Sequence, residues 1–168
     1  MHAVEVRRDY LAITGEYFDW MNGEIQRVCS FSISEITGMS LDSYVRYTAV
    51  IAAGIQPVDG GIYGMRSGCD EIMAMGGLRR LPDGAAEVVR IFTPPRFRGQ
   101  GLGFRSVDNL VGEARRLGYE ILRLDTATFM TSAQKIYRAS GFLLREPYVG
   151  AEPPPPLLPF WLFFERTI

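Results

Sequence analysis

The chain has 168 residues with 18 Lys+Arg, 19 Asp+Glu, one histidine and a formal net charge of −1, and 47% of its residues are hydrophobic. That length suits a single domain over residues 1–168, large enough to bury one core without disulfides, and the near-neutral charge points to no nucleic-acid partner. His2 is the only histidine, and Cys29 and Cys69 stand far apart, so neither a zinc site nor a Ser-His-Asp triad can readily be built and no metal is expected. No apolar run approaches the ~20 residues that span a bilayer, and no signal peptide opens the chain; a cytoplasmic protein with no membrane partner is expected.

Residues 4–8 read equally well as a short first strand or as the lead into a helix. From Asp9 to Cys29 the apolar positions Leu11, Tyr17, Phe18, Met21, Ile25 and Val28 follow helical spacing, with acids on the other face, despite Gly15 and Gly23. Ser40 is placed to cap a second helix, which Gly54 ends, and residues 30–39 between the two helices are expected to form a loop. Residues 60–67 and 70–80 read as strands joined by a turn at Ser67-Gly68-Cys69-Asp70. Pro82-Asp83-Gly84 makes a second turn into a third strand over 86–93, which completes an antiparallel meander. Met73 and Met75 read as core fillers on it.

Residues 90–118 carry the strongest signal. Arg98, Gly99, Gln100, Gly101, Leu102 and Gly103 lead straight into an amphipathic helix with Val107, Leu110, Val111, Ala114 and Leu117 on one face. The first N–H groups of such a helix lack carbonyl partners and carry the positive end of its dipole. Glycine lets an anion approach them, and Arg98 adds a charge. Arg115 and Arg116 suit the helix's negative end and Gly118 its stop. A short strand over 120–126 follows, so the unit is strand, helix, parallel strand. Residues 127–130 read as a loop, then 131–140 as a helix with Thr131 or Ser132 at its cap and Gly141 at its end. Residues 152–156, with four successive prolines, read as a rigid extended connection, and 157–165 as a buried final strand.

Three readings compete for the glycine turn. A nucleotide P-loop needs Lys and Ser/Thr after its last glycine, where this chain has Phe104 and Arg105. A dinucleotide fingerprint fits Gly101, Gly103 and an acid at Asp125. It fails at Ser106, which holds the third glycine position, and at the intervening Pro94, Pro95, Arg96 and Phe97. The third reading is a resemblance. Thr93-x-Pro95-x-Phe97-Arg98-Gly99-Gln100-Gly101-Leu102-Gly103 resembles the acyl-CoA pyrophosphate loop of the GNAT N-acyltransferase superfamily. Ala133-x-x-Ile136-Tyr137-x-x-x-Gly141-Phe142 resembles a later GNAT motif, in the expected order and at the expected distance.

The resemblance implies an α/β fold of GNAT type, an antiparallel meander followed by a parallel strand-helix-strand, with about six to seven strands and about four helices. It implies an acetyl-CoA-dependent N-acetyltransferase acting on an amine of a small molecule or peptide, coenzyme A being the only cofactor and a homodimer an open assembly. Cofactor contacts are implied at Ile91, Phe92, Thr93, Arg98, Gly99, Gln100, Gly101, Leu102, Gly103, Ser132 and Tyr137, with the Ile91 N–H facing the thioester carbonyl. Tyr137 matches the acid for the departing thiolate, and Glu87 stands where many members place the base that deprotonates the amine through water. Met130 replaces a common asparagine; Leu124-Asp125-Thr126 with Met130 resembles a bacterial subgroup in which methionine is usual. The two opening helices and loop 30–39 would overhang the acceptor. Residues 1–87 hold 12 acids against 7 arginines, and 88–168 hold 7 acids against 11 basic residues, which favours a cationic acceptor. The alternatives are an acyl-CoA sensor that transfers nothing and a nicotinamide-nucleotide oxidoreductase.

Overall fold

The computed structural model describes residues 2, 3 and 9–168, so the reading of 4–8 lies outside the described residues. In chain order the elements are β1 (His2–Ala3), α1 (Asp9–Cys29), α2 (Ile33–Thr37), α3 (Leu41–Ala53), β2 (Gly61–Arg66), β3 (Ile72–Arg80) and β4 (Ala86–Phe92). Then come α4 (Leu102–Arg116), β5 (Ile121–Ala127), α5 (Thr131–Ala139), β6 (Leu143–Arg145) and β7 (Trp161–Thr167). The strands form one sheet in the order β1-β2-β3-β4-β5-β7-β6, antiparallel everywhere except between β4 and β5.

Helices cover both faces. Val88 and Val89 are consecutive on β4 and therefore point to opposite sides. Val88 joins a core with Val107, Leu110, Val111 and Ala114 of α4 and Phe142 and Phe164. Val89 joins Tyr10 and Ile13 of α1, Ala52 of α3 and Met75. The apolar stripe of α4 is buried as its spacing required; trimming Leu110, 1% exposed, to alanine would cost about 2 to 5 kcal/mol.

Two irregularities in β4 shape the region above it. Its parallel pairing with β5 is confined to Ala86↔Leu122 and Glu87↔Arg123, although β4 runs on to Phe92 and β5 to Ala127, so the strands part beyond Glu87. On its other edge, Met75 pairs with Phe92 but Gly77 with Val89. Two steps along β3 thus face three along β4. That extra residue makes a bulge, and Arg90 in it has φ 55, a strained conformation costing roughly 1 to 3 kcal/mol that bends the strand.

The structure corrects four expectations. Residues 30–39 contain α2, closed at its start by a capping box in which Glu35 N donates to Ser32 Oγ at 3.1 Å and Ser32 N donates to Glu35 Oε2 at 2.7 Å. The described residues therefore hold five α-helices instead of about four. Neither Thr131 nor Ser132 caps α5; Met130 occupies that position and no side chain accepts there. Residues Pro155–Phe160 wind into a 3-10 turn, and the last strand starts only at Trp161. The cause is that Pro155, Pro156 and Pro159 have no N–H to give a ladder. Among the described residues no helix is long and apolar enough to cross a membrane.

Candidate active site

Where β4 and β5 separate, a cavity of about 560 Å³ opens. One end lies at the N-terminus of α4. Gly99 and Gly101 hold φ of 79 and 71, a left-handed backbone that glycine adopts without strain, and no atom stands within 4 Å of where a Cβ would be at either position. Gly101 also occupies the N-cap with no side chain spent on the first-turn amides, which therefore remain available to an anion. Gly103 serves differently. A Cβ there would lie 2.9 Å from Ile136 Cδ1, so a larger residue would make that side-chain end shift where α4 meets α5. Arg98 is held back against the wall: its Nε donates to Thr93 O at 3.1 Å, and its guanidinium sits 5.0 Å from the Trp20 ring centroid.

Of the positions expected to contact a cofactor, Ile91, Phe92, Thr93, Arg98, Gly99, Gly101, Leu102, Gly103, Ser132 and Tyr137 line this cavity, and Gln100 does not. The side chain of Leu102 is spent on packing with Met65 and Ala74. Tyr137 is 7% exposed and wedged edge-on between Phe142 and Phe164, with ring centroids at 6.3 and 6.0 Å. Burial first, and then the charge of Asp125, hold its phenol well above the ordinary value of 10.0, so it carries its proton at neutral pH. Thr126 Oγ1 donates to Met130 Sδ at 3.4 Å, so the methionine that replaces the common asparagine is tied to β5.

Glu87, expected to act on the amine through water, is not among the residues that line the cavity. Its side chain is fully buried; Arg79 Nε donates to Oε2 at 2.6 Å and Tyr148 OH to Oε1 at 2.7 Å, so both oxygens are engaged. Burial pushes its carboxyl up to about 7 against the opposing pull of Arg79 and Tyr148. The position just before the strands diverge places it at the last registered pair of β4 and β5, under the cavity rather than on it.

Two carboxylates line the wall: Glu152, which is paired with Arg90, and Asp125, which the sequence presents only as an acid of the set-aside dinucleotide pattern and as part of a subgroup signature. Trp161 Nε1 donates to Asp125 Oδ1 at 2.8 Å, the one side-chain hydrogen bond of Asp125 among the described residues. Burial, reinforced by the charges of Glu87 and Glu152, pushes its carboxyl up to about 8. Nothing local could have revealed this pairing, because Trp161 is 36 residues away and arrives by the antiparallel register of β7 on β5. Arg90, also in the wall, has a 6% exposed side chain. It donates to Tyr10 OH, to Thr48 O at 3.4 Å and to Glu152 Oε1 at 3.3 Å.

Beyond Asp125 the cavity continues between Phe18, Met21 and Ile25 of α1, Ile33 and Ile36 of α2, and Leu157. The segment 30–39 thus contributes to the wall, as a helix rather than a loop.

Residues 35–142 match the model of the Acetyltransferase (GNAT) family, and the chain belongs to that family. It is 32% identical over 95 residues to an uncharacterized N-acetyltransferase of Schizosaccharomyces pombe, covering 56% of this chain and 55% of that protein. It is 35% identical over 85 residues to the IAA acetyltransferase of Azospirillum brasilense, covering 51% of this chain and 53% of that one. The chain thus spans about half the length of the curated relatives it matches. The solved structure of PaiA N-acetyltransferase from Thermoplasma acidophilum, in complex with coenzyme A, superposes with a TM-score of 0.71 at 12% identity. The overlap covers 99% of this chain and 97% of that one, which shows the shared GNAT fold: a mixed sheet with its parallel strand-helix-strand.

Proposed function

We propose that this protein transfers an acetyl group from acetyl-CoA to an amine of a small molecule or peptide by direct attack. The observation that carries the reading is one continuous cavity from the glycine-rich start of α4, through the gap between β4 and β5, to the Tyr137 phenol. Gly99, Gly101 and the first-turn amides of α4 suit a pyrophosphate, since three glycines in five residues leave the backbone N–H groups open to it and Arg98 stands beside them. Beyond Glu87, the inner edge of β4 at Ile91 and Phe92, with Thr93 just after it, has no partner on β5 and is free to pair with the extended arm of coenzyme A. Acetyl-coenzyme A, when bound, would supply the activated thioester, and coenzyme A would leave as the thiol.

The protein's part is then small. Tyr137 holds a proton for the departing sulfur, and the desolvated walls keep water from competing for the acyl group. Glu87 supports the wall through Arg79 and Tyr148. Isothermal titration should give micromolar heat with coenzyme A and none with NAD, and acetyl-CoA with an amine panel should release free thiol. Binding of NAD alone would overturn the reading; tight coenzyme A binding with no thiol release for any amine would make the protein a binder instead of an enzyme.

A further inference from the structure

The acceptor half of the cavity carries a second pattern. Its charges do not cancel: Arg90 is matched by Glu152, and Arg79 by Glu87. Arg98 lies at the other end on Thr93 and Trp20. Asp125 is left as a carboxylate in the wall without a cationic partner among the described residues. The indole that donates to it belongs to an apolar cluster, because Trp161 packs with Phe18, Met21, Ile25, Ile33 and Leu157. One carboxylate therefore sits at the head of an apolar channel bounded by α1 and α2. Tyr137 lies close enough to feel the charge of Asp125, so the same carboxylate stands beside the proposed acid.

We propose that the acceptor is a primary amine with an apolar alkyl or aryl body, its ammonium held and deprotonated by Asp125 and its body lying along Phe18, Ile33 and Ile36. The inference rests on the acetyl-transfer reading above. A dication or a zwitterion fits the channel poorly, since its second charge would be desolvated among Met21, Ile25 and Leu157. In the reaction Asp125 takes one proton from the ammonium and later releases it to solvent. The neutral nitrogen forms the new C–N bond as the C–S bond breaks. Tyr137 gives its proton to the sulfur and is restored by the second proton leaving nitrogen, so thiol, amide and one solvent proton are the products. Burial first, then the charges of Glu87 and Glu152, push the Asp125 carboxyl up to about 8 against the Trp161 hydrogen bond and Arg79, with Tyr17 and Tyr137 also near enough to feel its charge, so it becomes the ionised base as pH rises through about 8.

The test compares n-hexylamine and benzylamine with putrescine and glycine as acceptors for acetyl-CoA, followed by thiol release. It also includes amine binding without donor, followed by tryptophan emission. Wild type should show kcat/KM for hexylamine at least about tenfold above putrescine and glycine. Asp125→Asn, which keeps the size of the side chain and an oxygen for Trp161, should lower kcat/KM by about 10² or more. It should weaken hexylamine binding by about tenfold or more and leave the calorimetric affinity for acetyl-CoA within twofold. Ile36→Ala gives an independent readout should Asp125→Asn not fold: KM for hexylamine should rise about fivefold to tenfold and KM for ethylamine should not. A preference for putrescine or glycine, unchanged turnover in Asp125→Asn, or equal effects of Ile36→Ala on both amines would overturn the inference. So would acetyl-CoA binding without turnover of any apolar amine. Absence of acetyl-CoA binding to wild type would instead overturn the acetyl-transfer reading beneath it.

Discussion

The two ends of the cavity are built by different means. At the start of α4 the surface is largely backbone: left-handed Gly99 and Gly101, uncapped amides, and an arginine folded onto a neighbouring carbonyl, all within residues 93–103. At the other end the surface is side chains delivered from α1, α2 and the segment before β7, with Asp125 and Trp161 at its head. A backbone site tolerates change everywhere except where φ or close approach demands glycine, so it can keep one ligand through wide sequence drift. A side-chain site changes with each residue, which suits a varying acceptor.

That contrast can be broken most sharply at the junction of the two ends. Tyr137→Phe should lower kcat by about 10² to 10⁴, with KM for acetyl-CoA little changed, in steady-state thiol release. Undiminished kcat would remove Tyr137 as the acid unless a pre-steady-state burst showed product release to be limiting. At the backbone end, Gly101→Val must force a β-branched residue to φ 71 at the helix start, and calorimetry should show coenzyme A affinity reduced by about 10³-fold or more. Arg98→Ala removes a charge but leaves the amides, so its loss should be about 1 to 3 kcal/mol of binding, and a loss equal to that of Gly101→Val would erase the distinction between backbone and side-chain recognition.

The smallest effect belongs to Glu87, which faces neither end. Its folded value, about 7, lies above the ordinary 4.5, so the folded protein holds the proton more tightly than the unfolded chain. Its contribution to stability is full below about pH 4.5 and is lost as pH rises through about 7. Glu87→Gln has no such loss, and its melting temperature should gain a few degrees on wild type between pH 5 and pH 8. The pH profile of kcat/KM should keep its rise and shift that rise to lower pH, because the charge of Glu87 no longer helps hold the Asp125 carboxyl up. A profile flattened by Glu87→Gln would return this residue to the proton path and make the supporting role assigned to it wrong.

Local chemistry made the donor side legible. The spacing of Val107, Leu110, Val111 and Ala114, the glycines before them, and Gly118 after them each act through hydrogen bonds or side-chain directions fixed within a few residues, and α4 formed as that pattern required. The Ser40 cap and Gly54 stop of α3 were legible for the same reason. The capping box of α2 was present as Ser32-x-x-Glu35, but a helix of five residues has too little periodicity to announce itself.

What the sequence by itself determined was the order of elements around the glycine-rich turn and the family motifs on it, because those depend on short-range φ preferences and amphipathic periods. Tertiary structure alone decided which of the β4 and β5 carboxylates faces the cavity. Glu87 stood at the position the motif favoured, yet Arg79 across the β3–β4 ladder and Tyr148 from 61 residues away took both its oxygens. Asp125 stood in the wall because β4 and β5 part after a single pair of registered residues beyond Ala86, and because β7 brings Trp161 beside it. Strand register and divergence are properties of the assembled sheet, set by packing on both its faces, and no local stretch of the chain encodes them.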